Sequence, residues 1–396
     1  MEQVLKMNIE DVQKYLKENA INGWLIYDFL GLNRVAQELI RFTGKLITRR
    51  WFYYIPQAGD PTLLLHRIES MSFPNVPGQR LYYTGWKDLV AGLKQMLTGQ
   101  KRIAMEYSPG AAVPTTSFVD AGTFEMVKQF VREIVSSANL IQYFTCRLSE
   151  AQLKSHQLAA EVLHQAQQEA FRYIEEQLRN GKTVTEYDVQ QLIMKKIHDH
   201  GMISHSDAIV AVNENASNPH YAPSAAQFRE IKKGDCILID LWAKENRPEA
   251  VYADMTWMGY AGDDPPEEFV KVWNIVKQAR DLAVDFLRNN HKAGKITRGY
   301  EVDAVVRDFI ERQGYGDYFF HRTGHSIDQE DHGRGVNIDS YETQDFRDIV
   351  PGLLFSIEPG IYLPQFGVRS EIDVYYGDNG PEIYTSVQDD LVLMQV

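Results

Sequence analysis

Five segments in the second half of the chain place an acid or a histidine where its neighbours predict burial. Asp240 interrupts the apolar run Ile237-Leu238-Ile239-Asp240-Leu241-Trp242, Asp254 sits in Tyr252-Ala253-Asp254-Met255-Thr256-Trp257, and Glu358 follows Leu354-Phe355-Ser356-Ile357. Glu371 lies in Val368-Arg369-Ser370-Glu371-Ile372-Asp373-Val374, where period-2 alternation puts Arg369, Glu371 and Asp373 on one face. His325 completes the set within Gly324-His325-Ser326-Ile327. An ionised carboxylate buried without a counter-charge is costly, so each of these acids needs a cationic partner. Taken singly, each reads as an ion-paired or edge residue. Together, four carboxylates and one imidazole form a donor set for two divalent cations of intermediate hardness, with manganese foremost and cobalt, zinc or iron also accommodated. Hydrolytic two-metal sites hold their ions ~3.5–4 Å apart and acidify a bridging water.

Other chemistries lack their motifs. Gly181-Lys182-Thr183 looks like the end of a phosphate-binding loop, but the required first glycine is Glu176, so it reads as a helix stop. No GxGxxG follows a strand, and there is no GxSxG nucleophile elbow. His321 and His325 have zincin spacing without the intervening glutamate. His66 stands alone and reads as a satisfied or surface imidazole.

These residues need elements to hold them. Apolar positions Leu158, Val162, Ala166, Ala170, Ile174 and Leu178 predict a long helix ended by Asn180-Gly181. Thr185 with Asp188 opens another helix, and two more are expected over about 267–289 and 301–313. Strand-like runs cover 207–212, 236–243, 251–261 and 353–357, with a hairpin-like stretch over 360–376. Before residue 148 the pattern is α/β: a helix from Asn8 to about Glu18, then strands at 24–27, 51–55, 62–65 and 102–105. The change of texture predicts two domains, 1–147 and 148–396.

Composition narrows the class. With 54 Asp+Glu against 41 Lys+Arg the net charge is −13, and no basic run appears, which disfavours nucleic acid as a partner. Cys146 and Cys236 are far apart and form no CxxC, so they read as free thiols of a reducing compartment. Charges interrupt every apolar stretch of the first 20 residues, and no run approaches the ~18 apolar residues of a bilayer span. A cytoplasmic protein with no membrane partner is expected, and the sequon at Asn215 reads as coincidence.

The ordered segments ASNPHY (216–221), IDLWA (239–243), YADMTW (252–257), HRTGHSID (321–328), SIEPGIY (356–362) and GVRSEID (367–373) resemble the signature of the creatinase, prolidase, aminopeptidase P and methionine aminopeptidase superfamily. The resemblance implies an α/β amino-terminal domain of the creatinase type, followed by an α+β catalytic domain with the pita-bread fold. It implies metal ligation by Asp240, Asp254, His325, Glu358 and Glu371. It places His220, His321, His332 and Glu358 in catalysis, with His220, His321 and Arg369 at the substrate.

The implied function is that of the proline-specific branch: a dinuclear-metal peptidase cleaving the bond before proline in dipeptides or short peptides, and forming a homodimer. Another amidohydrolase-type activity on this fold and a non-catalytic binding protein remain as alternatives. Three departures from the family pattern stand out. The spacer between Asp240 and Asp254 is longer, with Asn246 to Ala250 as its expected tip. Gly333 replaces the acid after His332, so the role of that side chain is missing or supplied by Asp331 or Glu330. Ser326 stands where glycine is common.

Overall fold

The computed structural model describes residue 5, residues 7–40 and residues 47–396. Residues 1–4 and 6 of the stretch read for a leader lie outside the described residues. Contacts divide the chain into two compact units, Met1–Thr145 and Cys146–Val396.

In the first unit, Asn8 caps helix α1 (Ile9–Glu18), its side chain accepting from the Glu10 N–H at 2.8 Å. Strand β1 (Gly23–Asp28) is buried at every position, as suits the interior of a sheet covered on both faces. It pairs antiparallel with β2 (Trp51–Pro56), which pairs antiparallel with β3 (Thr62–His66). Parallel additions extend the sheet through β4 (Gln79–Tyr83) beside β3, and through β5 (Arg102–Met105) and β6 (Glu133–Ser136) beyond β1. The order is β4-β3-β2-β1-β5-β6. Helices α2 (Arg34–Leu39), α3 (Trp86–Leu97), α4 (Ala121–Lys128) and α5 (Ala138–Thr145) complete the unit. His66 is held by the Thr84 carbonyl at 3.1 Å and the Ile68 N–H at 3.2 Å.

The second unit opens with α6 (Glu150–Arg179) and α7 (Glu186–Asp199). Thr185 and Asp188 form the capping box of α7, and Gly181 at φ +66° ends the turn after α6. The apolar stripe of α6 is not the straight one expected: Leu158 is 46% exposed, whereas Ala159, Leu163 and Phe171 are buried. A four-residue repeat advances 400° per step, so on a helix of 3.6 residues per turn it drifts off the buried face within a few steps.

Strands β7 (Met202–Ile203), β8 (Ile209–Val212), β9 (Cys236–Glu245) and β10 (Ala253–Tyr260) follow. Next come α8 (Glu267–Lys292) and α9 (Gly299–Arg312), then β11 (Leu353–Ile357), β12 (Gly360–Tyr362), β13 (Gly367–Arg369), β14 (Ile372–Gly377), β15 (Gly380–Ile383) and β16 (Val392–Leu393). One sheet runs β16-β10-β9-β7 with β8 also on β9, a second runs β11-β14-β15, and β12 pairs with β13. The expected single strand through Arg369, Glu371 and Asp373 is broken: β13 belongs to the β12 hairpin and β14 to the second sheet, with Ser370 and Glu371 between them. Among the described residues, Cys146 and Cys236 are buried and form no disulfide. Among the described residues, no helix is long and apolar enough to cross a membrane.

Candidate metal centre

The β9–β10 ladder fixes the first two acids. Antiparallel register sets Asp240 opposite Thr256 and Asp254 opposite Trp242, so all four share one face and the acids are diagonal neighbours. The longer spacer leaves both strands intact, its turn falling at 246–252.

His325 comes from the irregular stretch between α9 and β11, pinned to β11 on both sides. Its N–H donates to Ser356 Oγ at 3.0 Å, and its carbonyl accepts from the Ser356 N–H at 2.8 Å. Gly324 makes this approach possible: a Cβ there would stand 2.0 Å from the Ser356 carbonyl oxygen. Glu358 follows β11, its N–H donating to the Thr323 carbonyl at 2.7 Å. Glu371, in the break between β13 and β14, accepts from Thr256 Oγ1 at 2.7 Å.

One ligand atom each from Asp254, His325 and Glu371 lie within 4.8 Å of one another, all buried. Glu358 joins them, with Oε1 3.4 Å from His325 Nε2. Asp240 stands at the edge of this group, held through Oδ2 by the Arg369 guanidinium. Burial raises the carboxyls of Asp240, Asp254 and Glu371 above the ordinary range, and acidic neighbours add to the effect at Asp254 and Glu371. Burial pushes Glu358 up to about 7.

Two observations test whether this donor set fits cations. Among the described residues, Oδ1 of Asp240, of Asp254 and of Asp331 are buried with no hydrogen-bond partner. The His325 ring donates from Nδ1 to the Ser326 carbonyl at 3.2 Å, which turns the lone pair of Nε2 toward Glu358 at 3.4 Å and Asp254 at 3.8 Å. Burial holds this imidazole neutral. Acceptor atoms facing acceptor atoms in a buried space call for positive charge between them, and the set fits divalent ions.

The other expected residues line the same cavity of about 890 Å³. His220 is exposed at its rim. His332 stacks on His325 with ring centroids 4.0 Å apart, its side chain 62% exposed. His321 differs from expectation. Nδ1 lies 2.7 Å from the Arg322 carbonyl and Nε2 2.7 Å from Tyr362 Oη, so neither nitrogen is free for a bound molecule. Burial, then the Arg369 charge, pushes it down to about 3, which keeps it neutral. Tyr362 Oη in turn accepts from Arg369 Nη1 at 3.1 Å, and Arg369 Nε donates to Thr256 Oγ1 at 3.0 Å. Arg369 thus spends three donors on Asp240, Thr256 and Tyr362.

Several site residues gave no sequence signal of their own. Of the two acids left to replace the one missing at Gly333, Asp331 is buried in the cavity wall and Glu330 is exposed. Gly333 itself has no room for a side chain, since a Cβ would meet the Asp328 carboxyl at 2.8 Å. His205 stacks on Trp242 at the cavity wall, and Arg322 Nη2 donates to His332 Nδ1 at 3.2 Å.

The profile of metallopeptidase family M24 matches residues 154–378, which hold every one of these side chains. The chain belongs to the M24 metallopeptidases. It is 34% identical over 209 residues to an uncharacterized peptidase of Staphylococcus haemolyticus, covering 51% of this chain and 53% of that one. It is 30% identical over 234 residues to an Xaa-Pro dipeptidase of Lactobacillus delbrueckii, covering 57% of each. The chain spans about half the length of the curated relatives it matches. A prolidase from Pyrococcus horikoshii superposes with a TM-score of 0.56 at 22% identity, covering 97% of this M24 chain and 99% of that one. The fold is therefore an α/β unit followed by an α+β pita-bread unit.

Proposed function

We propose that this M24 protein is a dinuclear-metal Xaa-Pro peptidase that hydrolyses the bond before proline in dipeptides or short peptides. The observation that carries the reading is the group of buried acceptor atoms from Asp254, His325, Glu358 and Glu371, with unpartnered oxygens on Asp240 and Asp254, at the floor of one cavity.

Asp240, Asp254, His325, Glu358 and Glu371 would hold two divalent ions, manganese first among them. Bound there, the ions would polarise the scissile carbonyl and acidify a water. The chain's own groups do the rest. Glu358 is the carboxylate that accepts the proton of the attacking water and passes it to the leaving nitrogen. His332 acts as donor to the carbonyl oxygen: its Nδ1 accepts from a guanidinium, which has no lone pair, so in the neutral ring the proton sits on Nε2. His220 at the rim contacts the residue before proline. His321 serves as a positioning residue, through Tyr362 and Arg369, and presents its ring to the proline.

The first unit is assigned as a creatinase-type amino-terminal domain, and the whole as a cytoplasmic homodimer, which sedimentation can check. The function is tested with Xaa-Pro dipeptides and Xaa-Pro-Xaa peptides, with and without chelator. Metal-dependent release of the residue before proline is expected, and chelator-insensitive turnover would overturn the reading.

A further inference from the structure

We propose that Glu186 is a positioning residue of the site: buried at the start of α7, its carboxylate holds the loop of residues 213–229 in the shape that presents His220 to the cavity. The inference rests on the Xaa-Pro reading above for the role of His220.

Four donors converge on this buried carboxylate. Oε1 accepts from the Val212 N–H at 2.8 Å and from Asn215 Nδ2 at 2.9 Å. Oε2 accepts from Tyr221 Oη at 2.5 Å and from the Arg229 N–H at 2.7 Å. The donors stand at the end of β8, early in the loop, directly after His220 and at the loop's far end, so one side chain ties four points of the chain to a single spot. One turn on, α7 adds a second grip from the same face: Gln190 Nε2 donates to the Ala208 carbonyl at 2.8 Å and to the Pro223 carbonyl at 3.0 Å. The loop has little else to hold it. After a short 3₁₀ turn over Asn213–Ser217 it forms no helix or strand, and of residues 213–229 only Ala216, Tyr221 and Pro223 are buried.

Taking a carboxylate out of water is costly, and an apolar side chain would pack the start of a helix without that cost. What the carboxylate adds is geometry: both of its oxygens accept, which is what four converging donors require. His220 depends on that geometry because it has no grip of its own. Its N–H donates to Asn218 Oδ1 at 3.1 Å, and among the described residues no hydrogen bond or ion pair holds its ring. Its neighbours Pro219 and Ala222 line the cavity with it, and Tyr221, between His220 and Ala222, is the residue that Glu186 holds. The place of His220 is therefore set through Tyr221 and Glu186. A displacement of about 1 Å costs on the order of a hundredfold in rate where a group must meet the substrate.

The test is a double-mutant cycle on the metal-loaded full chain with Ala-Pro, using the wild type, Glu186→Gln, His220→Ala and the double variant. Glutamine keeps the size of the side chain but turns one acceptor oxygen into an NH₂ group facing donors. Glu186→Gln should lower kcat/KM by about ten- to a hundredfold when His220 is present, and by less than about threefold when it is already alanine, with the ion content unchanged. Equal losses in the two backgrounds would mark a general structural effect and overturn the inference, as would a wild-type kcat/KM in Glu186→Gln. Tyr221→Phe removes one donor and keeps the ring, so it serves if Glu186→Gln fails to fold. It should lose about three- to tenfold, again only with His220 present, and no loss there overturns the inference. Hydrogen exchange separates the inference from the Xaa-Pro reading. In either variant the amides of 212–229 should exchange about tenfold faster or more, while those of β9 and β10 keep their rates. Faster exchange in a protein whose wild type does not cleave Ala-Pro would overturn the Xaa-Pro reading and leave the hold of Glu186 on the loop standing. Unchanged exchange overturns the inference whatever the substrate.

Discussion

Both units bury carboxylates, and they do so in opposite ways. In the first unit, Glu106 is buried after β5 and surrounded by donors: Trp24 Nε1 at 2.6 Å, Asn33 Nδ2 at 3.0 Å and Ser137 Oγ at 3.1 Å. In the second, Asp240, Asp254, Glu358 and Glu371 are crowded against one another and the neutral His325, with Asp240 and Asp254 keeping unpartnered oxygens. Asp303 shows that the second unit can also saturate a buried acid. It accepts from Thr323 N–H and Oγ1, from Ser340 N–H and Oγ, and from Arg307. Glu106 and Asp303 are saturated with donors, whereas the crowded group around His325 is short of them and so has room for cations.

Glu371→Ala breaks the contrast most severely. It should lower turnover of Ala-Pro on the order of a thousandfold or more and remove an ion from the purified protein, as read by elemental analysis. Asp303→Ala should do the reverse. It strands several buried donors and should lower stability by about 3 kcal/mol in urea, while the ion content of the folded protein stays the same.

Glu106 supplies the pH test. Burial raises its carboxyl to about 7 in spite of the three donors. A raised folded-state value adds stability below the ordinary carboxyl range, and that stability is lost as pH rises through 7. The first unit should therefore be more stable at pH 4.5 than at pH 8 by about 3 kcal/mol from this group, and Glu106→Gln should remove that difference. Hydrogen exchange of the β1 and β5 amides would report it. The smallest effect is expected from Asp254→Asn in metal-free protein. Removing one charge from the crowded group should raise stability by about 1 kcal/mol while weakening metal binding.

How much of this was legible in the sequence depended on locality. Asp240 and Asp254 announced themselves because apolar strand residues flank them, and runs such as 102–105 and 353–357 match strands β5 and β11. Short helices such as α2 and α5, whose apolar content resembles that of the neighbouring strands, left no period to read. The places of Asp331 and Arg322 in the cavity wall depend on the path of the irregular stretch from 319 to 352, which no pattern encodes. The engagement of both His321 nitrogens required Tyr362 and the Arg322 carbonyl to be in place, and Glu106 after β5 looked like an ordinary strand end. Leu158 shows the cost of reading a four-residue repeat as a straight stripe.

Calorimetric titration of chelator-treated protein with Mn²⁺, run in parallel on Asp254→Asn and Glu371→Ala, tests the central claim most directly. The wild type should bind two ions per chain, and each variant should lose at least one. Absence of binding in the wild type, or a stoichiometry that neither substitution changes, would contradict the metal centre.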